Sequence, residues 1–406
     1  MNALLIIGVV VSVGFLFGEL AARLKLPKVT GYVLAGIALN PGLVSVIPQD
    51  FVSHTDFVTN IALSFITFSV GGTLLYPRIK DLGKSISYIT FFEAEFAFLA
   101  VAIGFMIISP FFTGIESVSW VVTFLPMSLL IGSIASPTDP TATLAVIHEY
   151  KAKGDVSTMI MGVAAFDDAL GIMNYSLAVA VARVLILQKS INMYTSVFNP
   201  LMVIAGSILL GIFFGFMFNR VTSLMKKETE GAFIVVILAL LSLCFGVARL
   251  IGVDELLSTM VMGIFVVNFN PRRDLIFRIL ERYTEELIFV LFFTISGMHL
   301  KFSVLLSSFM LVLIFVVFRL LGKFSGTLLG AKLSRSSASV KRYTVGGLLP
   351  QGGIVVGLAL MMKQIRAFDA ISDVIISVII GATVIHELIG PVVSKYALRK
   401  AGEISS

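Results

Sequence analysis

Two adjacent carboxylates, Asp167 and Asp168, lie in the middle of an apolar run extending from about residue 156 to 187. A charged side chain halfway through a lipid-spanning helix costs about 3 kcal/mol even on lenient insertion scales, so such groups pair with a buried cation or line a route for ions or protons. Two further stretches carry chemistry of a matching kind. Ser136-Pro137-Thr138-Asp139-Pro140-Thr141 interrupts another apolar run, and Arg319 and Lys323 sit one helical turn apart in a third. Carboxylates, unwound backbone and buried cations together can bind an alkali ion or a proton reversibly.

The elements that must position these residues are transmembrane helices. Of 406 residues, 57% are hydrophobic and only 13% charged, whereas a soluble chain is about a quarter charged. The apolar runs are continuous over about 20 residues, which excludes the alternating strands of a barrel. The expected class is therefore an all-α polytopic membrane protein. A single cysteine, Cys244, excludes a disulfide framework and a CxxC metal or redox site. The net charge of +6 is spread over short loops rather than gathered in a patch, so the expected partner is the lipid bilayer and not a nucleic acid. The first apolar run is long and lacks a basic leader, so it reads as a retained span.

Thirteen spans are predicted, at about 3–22, 29–47, 57–76, 86–109, 118–148, 156–187, 197–219, 231–250, 255–270, 284–299, 303–330, 343–362 and 371–396. No loop between them has room for a soluble nucleotide-binding domain. Of the basic residues, 22 fall at one set of ends and five (Lys189, Arg249, Lys301, Lys363 and Arg366) at the other. By the positive-inside rule the N-terminus is outside and the C-terminus cytoplasmic.

The chain also repeats. Ala22-Arg23-Leu24 recurs as Ala248-Arg249-Leu250 and Gly71-Gly72-Thr73-Leu74 as Gly297-Met298-His299-Leu300, both 226 residues on, and Gly36-Ile37 is echoed by Gly263-Ile264. That offset covers seven spans, an odd number, so the second copy is inverted. Spans 1–6 and 8–13 then form two inverted six-helix repeats joined by the seventh, a plan used by secondary transporters.

The fifth span should break. Pro137 and Pro140 remove N–H groups and clash with the preceding turn, and Pro140 suits the first position of a new helix capped by Asp139. Its counterpart in the inverted copy, the twelfth span, carries Leu349-Pro350-Gln351-Gly352-Gly353 and is interrupted as well. Two interrupted helices crossing near the midplane leave carbonyls that can hold a cation, while Asp139 offsets the positive end of the second half-helix. In the eleventh span Gly322, Gly326 and Gly330 form a stripe for close packing. Counted at 1.5 Å per residue, Asp167, Asp168 and Arg319 lie roughly 17 Å from the cytoplasmic ends and Lys323 somewhat less. Depth does not choose which cation serves the carboxylates.

Taken together, Thr138-Asp139-Pro140, Asp167-Asp168, Gly322-Lys323 with Gly326, the Gly-Leu-Leu-Pro350-Gln-Gly-Gly segment and His386-Glu387-Leu-Ile-Gly390-Pro391 resemble the bacterial monovalent cation:proton antiporter family. The resemblance implies a core ion-transport domain (84–188 and 303–400) that moves as an elevator. It also implies a scaffold (1–80 and 229–300) forming a homodimer, with 196–222 as the linking helix. It assigns Asp168 as the carboxylate that binds the transported Na⁺, Asp167 as the neighbouring acid and second carboxylate of the ion site, Lys323 as that acid's partner, and Thr138 and Asp139 as crossing-point residues of the same ion- and proton-binding set. An Asp-Asp pair leans towards electrogenic exchange. Electroneutral relatives use an arginine in this span, a role open to Arg319, so it competes with Lys323 for the charge-compensating role. Successive helical positions point about 100° apart, so the two acids cannot both face one ion squarely; following the resemblance, Asp168 is assigned to the ion and Asp167 to Lys323.

The expected function is then exchange of Na⁺ or Li⁺ for H⁺ across the cell inner membrane, with no cofactor and no enzymatic reaction. K⁺/H⁺ exchange and Na⁺-coupled transport of a small anion are the alternatives. An intramembrane aspartyl protease needs its two acids on different helices, and a channel needs no inverted repeat. His54, His148, His299 and His386 are expected in loops or near span ends. Glu93 and Glu95 are expected to line a funnel or to pair with Arg319.

Overall fold

A computed structural model describes residues 3–44, 47–53, 55–112, 120–187, 198–225, 230–299, 308–352, 355–356, 358–359, 362 and 365–404. Gly353, His54, Lys189, Lys226, Lys227, Lys301 and Lys363 lie outside them. Every regular element among the described residues is helical, and the chain is a multi-pass membrane protein. In order, the helices are α1 Ala3–Arg23, α2 Lys28–Ala38, α3 Gln49–Ser53, α4 Asp56–Thr73, α5 Tyr76–Ile108, α6 Trp120–Ser133, α7 Pro140–Glu149 and α8 Asp155–Leu187. They continue with α9 Asn199–Leu224, α10 Glu230–Ile251, α11 Glu255–Phe269, α12 Arg273–Tyr283, α13 Glu285–His299, α14 Phe309–Leu333, α15 Ala338–Gly347 and α16 Asp369–Lys400. Seven are long and apolar enough to cross a membrane, and five more are apolar but shorter.

Two boundaries differ from the sequence-based ones for local reasons. The second span, expected to reach 47, stops as a helix at Ala38, where the amide of Leu39 closes the last turn and the Asn40 side chain caps Gly42 N–H. Within the basic loop after the ninth span lies α12, whose Ile276, Ile279 and Leu280 are buried while charged residues flank them. This is an amphipathic stripe at i, i+3 and i+4.

The chain divides into two compact units. The first comprises Met1–Asp81, Leu144–Ala152 and Met202–His299, so most of α9 belongs to it. Its helices meet where glycine removes the side chain. A Cβ on Gly36 would come within 2.1 Å of Thr294 O and 2.7 Å of Gly297 Cα, and one on Gly71 within 2.1 Å of Met260 O. Buried Phe68, Phe218, Phe233 and Leu241 fill one of its cores. Asp254 starts α11 by accepting the Leu257 N–H at 2.7 Å, as an N-cap carboxylate should.

The second unit comprises Leu82–Thr143, Lys153–Leu201 and Leu300–Ser406. Its core packs Phe105, Met127, Ile131, Phe315, Phe368 and Ile375. The helix carrying Asp167 and Asp168 is anchored at its start by a carboxylate from the far end of the chain. Glu403 accepts the N–H groups of Val156 at 2.6 Å and Ser157 at 2.8 Å, which satisfies two orphan donors and complements the helix dipole. Along α5 and α14 the backbones meet directly. A Cβ on Gly322, Gly326 or Gly330 would lie 2.5 Å from Phe96 O, 2.2 Å from Phe92 O or 2.7 Å from Ile89 Cα. The spacing of four places all three glycines on one face of α14.

Candidate ion-binding site

The site lies in the second unit, where two helices break. The α6 helix ends at Ser133, and α7 begins at Pro140 with Asp139 Oδ1 accepting the Thr141 N–H at 2.9 Å. The second break follows Gly347, the last residue of α15. The two interruptions are hydrogen-bonded to each other. Asp139 N–H donates to Pro350 O at 3.0 Å, and Gln351 Nε2 donates to Ile134 O at 2.8 Å. Thr143 Oγ1 reaches Gly347 O at 2.8 Å. A Cβ on Gly352 would strike Asp139 Oδ2, so glycine is required there by close approach. Unwound backbone survives at this depth because it is buried in protein and internally satisfied.

The last carbonyls of these half-helices carry partial negative charge, and a built-in cation meets them. Arg319 donates from Nε to Ala135 O at 3.0 Å, from Nη2 to Pro137 O at 3.0 Å and from Nη1 to Leu349 O at 2.8 Å. Its planar fork fits this three-point task in a way that a lysine would not. Arg319 therefore ties both breaks together, and the carbonyls expected to be open to a cation already hold one.

Lys323, one turn further along α14, has a different set of partners. Its ammonium donates to Ser136 O at 2.8 Å and Thr138 Oγ1 at 2.7 Å, and forms a close ion pair with Glu93 on α5. Asp167 Oδ2 is also within ion-pair range, at 3.7 Å. Thr138 in turn donates its hydroxyl to Asp167 Oδ2 at 2.5 Å. A polar relay thus runs from Lys323 through Thr138 to Asp167. Glu93, Asp167, Arg319 and Lys323 are all fully buried, and Asp168 is partly buried one position further on. On α8 a Cβ at Gly171 would meet the Pro137 ring, so this helix runs against the break one turn beyond the acids.

Sequence-derived site residues thus come together: Thr138, Asp139, Asp167, Lys323 and Arg319 share one cluster, with Asp168 beside Asp167. Two pairings differ from expectation. Glu93, offered as a partner for Arg319, pairs with Lys323, because the α5–α14 glycine seam brings those two residues face to face. Glu95 accepts from Asn174 Nδ2 at 3.1 Å, and Asn174 also reaches Ser136 Oγ at 3.3 Å. Asn174 lies seven residues beyond Asp167, on the same face of α8, a spacing visible in the sequence but not singled out. His386 was expected near a span end but is buried within α16 beside Phe315.

The donors present suit an alkali cation or proton. Asp167 Oδ1, Gln351 Oε1 and Thr141 Oγ1 are buried oxygens without a hydrogen-bond partner among the described residues. Carboxylate, amide and hydroxyl oxygens are the ligands that hard cations take.

The chain matches the transmembrane sodium/hydrogen exchanger family over residues 8–400. It is 21% identical to the ammonium/H⁺ antiporter subunit AmhT of Alkalihalophilus pseudofirmus, over 90% of this chain and 88% of that one. It is 22% identical to the Na⁺/H⁺-K⁺ antiporter GerN of Bacillus cereus, over 85% and 84%. With the low-affinity Na⁺/H⁺ antiporter NhaS1 of Synechocystis it shares 23% identity, over 95% and 72%. Its fold matches the sodium proton antiporter MjNhaP1 of Methanocaldococcus jannaschii at pH 8, with a TM-score of 0.72, 20% identity and coverage of 99% of this chain and 98% of that one. This chain belongs to the sodium/hydrogen exchanger family.

Proposed function

From that family membership, we propose that the chain is a secondary antiporter exchanging Na⁺ or Li⁺ for H⁺ across the cell inner membrane. The observation that carries this reading is the buried relay Lys323–Thr138–Asp167 beside two interrupted helices, with Asp168 next to it on α8. Asp168 binds either the cation or the proton, and this competition couples the two fluxes. Asp167 holds the electrostatic balance with Lys323 and turns to the cation as a second carboxylate when one binds, and Thr138 and Asp139 fix the crossing.

The reading includes thirteen transmembrane helices in two inverted repeats, with the N-terminus outside and the C-terminus cytoplasmic. Three relationships support the repeat. The Gly36–Gly297 approach in the first unit has a counterpart in Gly263–Gly71, which exchanges the equivalent positions. Asn40 donates to Met298 O at 2.9 Å, while Asn268 donates to Leu74 O at 3.1 Å. Lys25 and Gly252, 227 residues apart, both turn left-handed after their helices. Alternating access is by an elevator movement of the second unit, with the first as the scaffold of a homodimer. Exchange is electrogenic.

Potassium or ammonium is the second reading for the cargo, favoured by the names of two relatives, one an ammonium/H⁺ and one a Na⁺/H⁺-K⁺ antiporter. A small anion is disfavoured, because Arg319, the cation such a site would use, directs three donors at backbone carbonyls. Proton flux in proteoliposomes, driven in turn by Na⁺, Li⁺, K⁺ and NH₄⁺ with and without a membrane potential, tests the reading. Absence of cation-driven proton movement with every ion would overturn it.

A further inference from the structure

Glu93 is a buried carboxylate that the proposed exchange does not use. It lies on α5 where Gly326 of α14 comes so near that a Cβ would sit 2.7 Å from Glu93 Cα. Its side chain and that of Lys323 are each fully buried. The glycine seam brings the two backbones into direct contact, which sets Glu93 and Lys323 face to face. Asp167 stands differently. It is 3.7 Å from the same ammonium and is joined to it through the Thr138 hydroxyl. Lys323 thus has one resident counter-charge and one conditional one.

A cation arriving at Asp167–Asp168 competes with Lys323 for Asp167. Were Asp167 the only counter-charge, cation binding would leave Lys323 as an unpaired charge in a dry interior, which is strongly unfavourable. Resting on the antiport reading above, we propose that Glu93 is a positioning residue of the transport site: it holds the Lys323 ammonium whenever Asp167 turns to the transported cation. Lys323 then remains charged and paired through the cycle, and the site's affinity is set by how evenly Glu93 and Asp167 share it.

The test compares Glu93→Gln, Glu93→Asp and the double variant Glu93→Gln/Lys323→Gln with wild type, in proteoliposomes and by thermal unfolding. In Glu93→Gln, Lys323 falls back on Asp167, and the Na⁺ concentration for half-maximal exchange rises roughly tenfold, less than the full cost of stranding a buried charge because Asp167 remains as its partner. The maximal rate changes less. Glu93→Asp keeps the charge and recovers most of the affinity. The double variant removes both buried charges and returns the half-maximal concentration towards wild type. A folded Glu93→Gln protein with unchanged half-maximal concentration overturns the proposal. If Glu93→Gln does not fold, the double variant decides: a folded double variant with poor Na⁺ affinity overturns it too. Failure of wild type to exchange any cation for protons would instead remove the antiport reading itself.

Discussion

Thr138 donates its hydroxyl to Asp167 across 2.5 Å while accepting a hydrogen bond from the Lys323 ammonium at 2.7 Å. The hydroxyl both separates and links the two charges. Replacing it with a methyl group of similar size, in Thr138→Val, removes the bridge and leaves two buried polar groups each short of a partner, at about 1–3 kcal/mol. Weaker cation binding is expected in the variant, with near-normal affinity in Thr138→Ser, which keeps the hydroxyl. Na⁺-dependent proton flux measures both, and equal affinities in the two variants would show that the relay is irrelevant.

Arg319 and Lys323 separate by task, although the sequence puts them one turn apart. Arg319→Ala frees the carbonyls of Ala135, Pro137 and Leu349 at once. A stability loss of about 3 kcal/mol or more is expected, comparable to breaking a buried ion pair. Arg319→Lys should recover little of it, since an ammonium cannot span three carbonyls in one plane. Lys323→Ala should instead act on electrogenicity and pH dependence. Thermal unfolding of the purified variants, paired with flux at several pH values, distinguishes the two, and full rescue by Arg319→Lys would remove the three-point cap.

The glycine seam between α5 and α14 makes a prediction with an internal control. Gly326→Ala would place a methyl carbon 2.2 Å from Phe92 O, and overpacking of this kind typically costs about 1–3 kcal/mol. Gly83→Ala and Gly246→Ala meet open space and should be neutral or slightly stabilising, because alanine is the better helix former. Unfolding midpoints of the three alanine variants check the contrast.

Glu403 caps α8 from the other end of the sequence. Glu403→Gln keeps the shape but loses the charge that favours a helix N-terminus, worth about 0.3–1 kcal/mol. Amide exchange at Val156 and Ser157 should accelerate in this variant while protection around Asp167 is retained. Unchanged exchange at both amides would mean that the contact contributes nothing to the helix start.

Much of this site is legible in the sequence because it consists of violations. Asp167-Asp168 in an apolar run, and two prolines within four residues, break rules that ordinary membrane helices obey. Such breaks locate Ser136–Pro140 and Leu349–Gly352 without coordinates. The partnerships are not legible in the same way. Glu93 and Lys323 are 230 positions apart, and only the packing of α5 on α14 tells that Glu93, rather than Asp167, is the nearer carboxylate. The glycine stripe Gly322–Gly326–Gly330 announces a close neighbour for α14 but does not name it. Arg319 reads as a free buried cation until the ends of the broken helices are placed around it. The helix α12 is not anticipated, because its arginines read simply as loop charge and hide the apolar stripe of Ile276, Ile279 and Leu280 between them.

In the proposed exchange one carboxylate, Asp168, carries cation and proton by turns. Asp168→Asn removes the titratable charge with almost no change in volume, so it isolates that role. Reconstituted into proteoliposomes, the folded variant is expected to show no Na⁺- or Li⁺-driven proton movement at any pH, while wild type in the same vesicles exchanges. Sodium-driven proton movement surviving at the wild-type rate in Asp168→Asn would show that another group carries the exchanged ions.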